Sequence, residues 1–391
     1  LGPLEPGSHT IRIEVDSALT SPDLRGEGAT VGTITFEHMA EAAPTHTAVS
    51  MAPFVYARPN TVGRFTDLPV FMWYELEPTP RGTRYRYSMI FTNEDGGTPT
   101  DRLMATWGRT TDIEYLYSVE VDRKGVIVAE DFQGPDHEVL PFAGTREGRH
   151  PLLWVSTENN MVLDRGTTRV RYAPAPAAFP LRDVSREAVM DRHPWLYAVM
   201  SKELIREGKI VPDAAPGTDT ISDPRRFVYL EACGELGGAA LAFAILVEGG
   251  TERETEGGTE GGTLVPPNRK GIPPKGNGIP PGRKGLPPGP QWIASDRGVR
   301  DYRIVRDGCF RAAIPLPASL GARDVRAVRA QAYARPPSAD APPTPAGSVR
   351  LTRLNTVFML DERYNPGASR FEWQGSLTLA PDGPPVEIPV R

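Results

Sequence analysis

Proline and glycine punctuate this chain so densely that long helices have few places to form. It holds 41 prolines and 39 glycines in 391 residues. Each proline fixes φ and removes a backbone donor, and each glycine weakens a helix or strand interior. Between these breaks lie short runs in which apolar and polar residues alternate, the period of a half-buried strand. The first are 9–16 (HTIRIEVD), 29–37 (ATVGTITFE), 46–58 and 68–77, then 85–91, 113–121, 126–129, 151–156 and 168–172. Many short strands separated by turns such as TSPDLRGEG predict a β-sandwich. Within them, Pro99-Thr100-Asp101 opens one short helix that Gly108 closes.

Three zones follow from the same punctuation. Residues 1–172 read as an N-terminal β-sandwich domain. Residues 173–226 begin with the connector APAPAAFPL and continue with two short helices, split where His193-Pro194 must break them. Residues 227–391 read as a C-terminal β-sandwich domain carrying a low-complexity insertion, 249–291. The insertion starts as GGTERETEGGTEGGT and becomes a seven-residue repeat: VPPNRKG, IPPKGNG, IPPGRKG, LPPGPQW. Its glycines do not recur every third residue, so it is not collagen-like. It reads as an extended polyproline surface loop between neighbouring strands, or as an arm that binds a partner or another copy. The expected fold class is all-β: two β-sandwich domains with a short helical bridge and a long Pro/Gly-rich insertion.

Charge excludes several function classes. The net charge is -5 and both signs are interspersed, so neither a nucleic-acid face nor a polybasic membrane signal is present. The longest apolar run, 237–247, falls well short of the roughly 20 residues of a membrane helix. The chain opens Leu1-Gly2-Pro3 without methionine, which reads as the cut end of something longer. Cys233 and Cys309 are the two cysteines. They read either as buried thiols or as a disulfide across the second domain, which would stabilise it by on the order of 4 kcal/mol. No CxxC or Cys/His cluster points to zinc. An extracellular or periplasmic location is expected.

The chemistry, if there is any, concentrates in residues 84–122. The first strand there puts Tyr85, Tyr87, Met89 and Phe91 on one face. Strict alternation in the second puts Ile113, Tyr115, Tyr117, Val119 and Val121 together, and Asp112, Glu114, Leu116, Ser118 and Glu120 opposite. Asp112 and Glu114 would then emerge side by side, about 6.6 Å apart. With Asp95 in the turn Asn93-Glu94-Asp95-Gly96-Gly97 they form a candidate oxygen site for Ca²⁺ or Mg²⁺, although no EF-hand spacing is present. The plain alternative is a solvated strand face and a turn made of turn-formers. A hydrolase reading draws on Glu94, Asp95, Asp112, Glu114, Asp131, Asp136 and Glu138 for paired acid/base work. His137 and His150 are its candidate bases, and Trp73, Trp107 and Trp154 its candidate sugar-stacking rings. Against it, aromatics at alternate strand positions are usually core. The chain lacks GxSxG, a P-loop, HExxH and a GxGxxG after a strand.

Gly108-Arg-Thr-Thr-Asp112-Ile-Glu114, followed by Tyr-Leu-Tyr-Ser-Val-Glu-Val-Asp, resembles the Gly-x-x-x-Asp-Trp-Glu strand of the necrosis-inducing-protein and Vps62-like families. His150-Pro151-Leu-Leu-Trp-Val-Ser resembles the His-Pro strand of the Vps62-like group. The resemblance spans about residues 52–173. It implies a β-sandwich and, by the necrosis-inducing group, a divalent cation in this region. Only Asp112, Glu114 and His150 carry over. Thr110-Thr111 stand where a histidine is usual and Ile113 replaces the tryptophan. The expectation is therefore a secreted, non-catalytic surface or matrix protein that binds glycans or self-associates, with a structural divalent cation. Two alternatives stand beside it: a carbohydrate-active enzyme using Asp112, Glu114 and His150, and a subunit of an extracellular filament or appendage.

Overall fold

A computed structural model describes residues 7–18, 20, 34, 39–41, 43, 45–59, 61, 66–94, 96–173, 175–212, 214–249, 289–335 and 347–390. The fold is all-β, built on four antiparallel or mixed sheets with short helices between them.

The first two sheets face each other. The larger is six-stranded, in the order β11 (Ala177–Ala178), β2 (Pro69–Pro78), β3 (Gly82–Phe91), β4 (Asp112–Asp122), β5 (Ile127–Gln133) and β6 (Val139–Pro141). The smaller runs β10 (Arg171–Tyr172), β1 (Phe54–Tyr56), β8 (His150–Val155) and β7 (Arg146–Glu147), with β9 (Val162–Leu163) also beside β8. Met72, Tyr87, Met89 and Phe91 of the larger sheet pack on Val55, Leu153 and Val155 of the smaller. The Tyr87 hydroxyl, buried in this core, donates to the carbonyl of Ala48 at 2.7 Å, which removes the penalty of burying it.

Alternation failed as a guide to β4. Tyr117 pairs with Tyr87 but Tyr115 pairs with Ser88, so Leu116 is an extra residue, a β-bulge. The bulge reverses the phase of everything before it. Ile113 faces a different core from Tyr117, Val119 and Val121. Asp112 lies opposite Phe91 and Glu114 opposite Met89, both members of the sandwich core. The two carboxylates thus turn inward, and the solvated strand face expected there does not exist.

Two other expected strands differ. Residues 46–58 split into a short helix α1 (His46–Ser50) and the three-residue β1, because Ala48 and Met51 are buried on a helical spacing and Pro53 stops the turn. Residues 9–16 join no sheet among the described residues, and all are exposed. The strand expected at 29–37 lies, Ile34 apart, outside the described residues.

The second pair of sheets runs β15 (Gly308–Pro315), β12 (Phe227–Glu235), β17 (Val349–Phe358), β18 (Trp373–Leu379), and β14 (Gly289–Ala294), β13 (Ala240–Gly249), β16 (Val325–Tyr333), β19 (Val386–Glu387). Leu230, Phe243, Ile245, Phe310, Val328 and Leu351 form its core. Cys233 and Cys309 are paired neighbours on β12 and β15 and form a disulfide, so the thiol alternative falls. The insertion sits where expected, between neighbouring strands. Its base is tighter than expected, because Gly249 at the end of β13 pairs with Gly289 at the start of β14. The Pro-Pro repeat itself lies outside the described residues.

Helices α3 (Ala188–Arg192) and α4 (Trp195–Arg206) meet at His193-Pro194, as the proline requires. They fill a third core that both sandwiches share. Trp73, Ile90 and Ile113 enter it from one side, and Tyr229, Ala313 and Phe358 from the other. Charge is buried here too. Arg311, wholly inside, is held by both carboxylate oxygens of Asp191, by Glu231 at 2.9 Å and by the Tyr197 hydroxyl at 2.8 Å. Burial alone would weaken a guanidinium, but these anionic partners raise its pKa well above the usual value.

Candidate functional site

The bulge places Asp112 and Glu114 at one end of the first sandwich, between its sheets. They are 2% and 8% exposed. Asn160, in the turn before β9, donates its amide to Asp112 Oδ2 at 2.9 Å and to the carbonyl of Asn93 at 3.2 Å. It holds a left-handed backbone, φ 58°, which asparagine tolerates better than most residues. Its Oδ1 is buried with no hydrogen-bond partner among the described residues. Gln133 donates to Glu114 Oε2 at 3.3 Å and shares a 2.7 Å contact with His137 Nδ1. Arg109 stands 3.9 Å from Asp112 Oδ1 and 3.3 Å from Glu187 Oε1.

The electrostatics split this group in two. Burial, then repulsion from Asp112, lifts Glu94 to about 7. Burial lifts Asp112 against the pull of Arg109, and burial with Asp112 beside it lifts Glu114 well above the carboxylate range. Glu187 goes the other way. Its burial is outweighed by Arg109, Arg306 and Arg186 together, which bring it down to about 2. Glu94 and Glu114 are pushed toward the protonated form, while Glu187 holds its charge.

Among the described residues this arrangement assembles neither a solvent-reachable carboxylate pair nor a set of metal ligands. Asp112 accepts from Asn160 through one oxygen and has the Arg109 guanidinium 3.9 Å from the other. Asp95 lies outside the described residues. Among the described residues no three His, Cys, Asp or Glu side chains converge as ligands. His150 joins neither carboxylate: it stacks on Phe54 at 4.3 Å and its Nδ1 contacts the Ala52 carbonyl at 2.9 Å. The nearby cavity, at Asn93, Glu94, Thr100 and Glu207, measures about 10 Å³, room for one water and not for a sugar ring. The other carboxylates disperse. Asp131 accepts from the Tyr115 hydroxyl on the opposite face of the sheet, and Glu138 is exposed beyond β5. Asp136 and His137, both with positive φ, form the turn before β6.

The three expected tryptophans do not form a platform either. Trp73 is wholly buried in the shared core. Trp107 ends helix α2 (Thr100–Trp107) with the Arg306 guanidinium 5.3 Å from its ring centre. Trp154 stacks on Tyr56 at 4.7 Å, and Gly166 lies so close that a Cβ there would come within 2.2 Å of its ring.

Two features elsewhere have what these lack, which is access. One is residues 10–16. Ile11, Ile13 and Val15 are 48%, 56% and 52% exposed, so one whole apolar side of a strand pattern faces water. Arg12 and Glu14 on the other side pair with each other. The second is a cleft of about 760 Å³ at the edge of the second sandwich, lined by Leu354, Phe371 and Trp373 among polar residues that include Arg353, Arg370 and Glu372. Its volume lies within the range of ligand sites. Phe371 and Trp373 are partly buried and lean on the core. Gly375 leaves room for the indole, since a Cβ there would come within 2.7 Å of the Trp373 ring. Reasoning from sequence missed this cleft, though the alternation Arg370-Phe371-Glu372-Trp373 was a legible signal. No protein-family model, curated protein or solved structure matches the chain.

Proposed function

We propose that this is a secreted, non-catalytic surface or matrix protein that self-associates by strand addition. The observation that carries the reading is the exposed apolar ridge of Ile11, Ile13 and Val15, on a segment with strand alternation and no sheet. A strand with one apolar face gains little from water and much from a sheet edge. Burying three half-exposed aliphatic side chains contributes on the order of 3 kcal/mol. Ladder hydrogen bonds add about 1 kcal/mol each, against an association cost of at least about 4 kcal/mol. With a handful of such bonds a single contact falls at roughly a millimolar dissociation constant. The disulfide supports an oxidising compartment, extracellular or periplasmic. Among the described residues no helix is long and apolar enough to cross a membrane.

Light scattering of the purified chain over a concentration series tests this. The mass should rise with concentration, and Ile13→Asp should abolish the rise without changing the unfolding temperature. A monomer at every concentration overturns the reading.

A second reading rests on Trp373. An indole edged by Asn355, Gln374 and two arginines suits a glycan, whose ring stacks while its hydroxyls bond the planar groups. Retention on immobilised glycans, lost in Trp373→Ala, would mark it.

A further inference from the structure

Resting on the self-association reading, we propose that residues 10–16 of one molecule add, antiparallel, to the edge at 370–374 of a second copy. The acceptor is open: β18 is the last strand of its sheet, pairing with β17 on one side only among the described residues. Residues 370–372 continue that edge, since the Arg370 amide donates to the Val357 carbonyl of β17 at 2.8 Å. The cleft lies along it.

One register satisfies both faces at once. Setting Ile11 opposite Trp373 puts Ile13 opposite Phe371, so the ridge covers the two rings that the second sandwich leaves partly bare. The same register sets Arg12 opposite Glu372 and Glu14 opposite Arg370. Both acceptor charges are exposed, and each donor charge meets its opposite. Slipping by one residue either way would press Ile13 onto a charged side chain, Glu372 or Arg370, and turn Arg12 toward one of the rings, so the pairing is specified and not merely permitted. In the single molecule Arg12 and Glu14 neutralise each other; in the pair they exchange partners, at no cost in charge balance. Because donor and acceptor are different surfaces of one chain, the contact is heterologous and leaves a free donor and a free acceptor at each end. Such contacts propagate into rings or filaments.

Charge reversal separates the register from the reading beneath it. Arg12→Glu alone and Glu372→Arg alone should each weaken association several-fold, and the double variant should recover it. Trp373→Ala should weaken it as strongly as Ile13→Asp does. If the wild type associates and Ile13→Asp does not, while the double variant fails to recover and Trp373→Ala has no effect, self-association stands and this acceptor is wrong. If the wild type stays monomeric, both fall. A monomer whose amides at 10–16 resist hydrogen exchange would show the segment docked on its own molecule, which also overturns the proposal. Glycan retention by a monomer, lost with Trp373→Ala, would hand the cleft to a sugar instead.

Discussion

With its carboxyl raised to about 7, Glu94 is close to half-protonated at neutral pH, while its unfolded counterpart is fully ionised. Between pH 4.5 and 7 the folded chain therefore holds the extra proton, and stability falls as pH rises through that window. Glu114, also raised, adds to the same slope. Glu187, brought down to about 2, acts only further down: its contribution is complete above pH 4.5 and is lost on acidification below it. From pH 5 to 8 the wild type should lose on the order of 2 kcal/mol through Glu94. Urea unfolding at several pH values reads this directly. Glu94→Gln should flatten the slope and be the more stable protein at pH 8; an unchanged slope would mean that Glu94 titrates like an exposed carboxylate. None of this could be read from the turn itself. Charged residues are usually exposed, and the partner that orients Asp112, Asn160, comes from 48 residues away.

Helix α2 and strand β4 show what a linear pattern reveals and what it hides. The helix end at Gly108 was legible because glycine is the residue that takes a left-handed cap cheaply; it does so here at φ 63°, its amide bonding the Met104 carbonyl. A Cβ there would also come within 2.8 Å of Arg311 Cγ, a side chain pinned by the buried ion cluster. Gly108→Ala should therefore lower stability by about 1–3 kcal/mol, more than the 1 kcal/mol or so of an ordinary cap change, as measured by a denaturant midpoint. A loss under 0.5 kcal/mol would show that Arg311 can give way. The bulge, by contrast, leaves almost no mark in DIEYLYSVEVD. An inserted residue shifts the phase without changing composition, and Leu116 on the expected polar face was the one sign of it. The ridge at 9–16 misled in the opposite way. Its alternation is that of a strand, but the described part of its own chain supplies no edge for it.

At the scale of the whole molecule, the division into two sandwiches was legible from the strand runs and the proline-rich connector. That they share a core was not, because Trp73, Tyr229 and Phe358 look like ordinary strand interior wherever they fall. Joined through the helices, with Arg306 bonded to the Thr106 carbonyl at 2.9 Å and Arg311 reaching Asp191, neither sandwich can open without exposing that core. Calorimetry should show one cooperative transition; two separated peaks would mean that the shared core adds little. The pairing of Gly249 with Gly289 has a different consequence. The sandwich is finished at that rung, so what lies beyond it can lengthen, shorten or change character almost without the fold noticing. Doubling such a loop costs only about 0.6 kcal/mol. The rung is a place where evolution can write freely, and where a foreign domain spliced in would ride on an undisturbed scaffold.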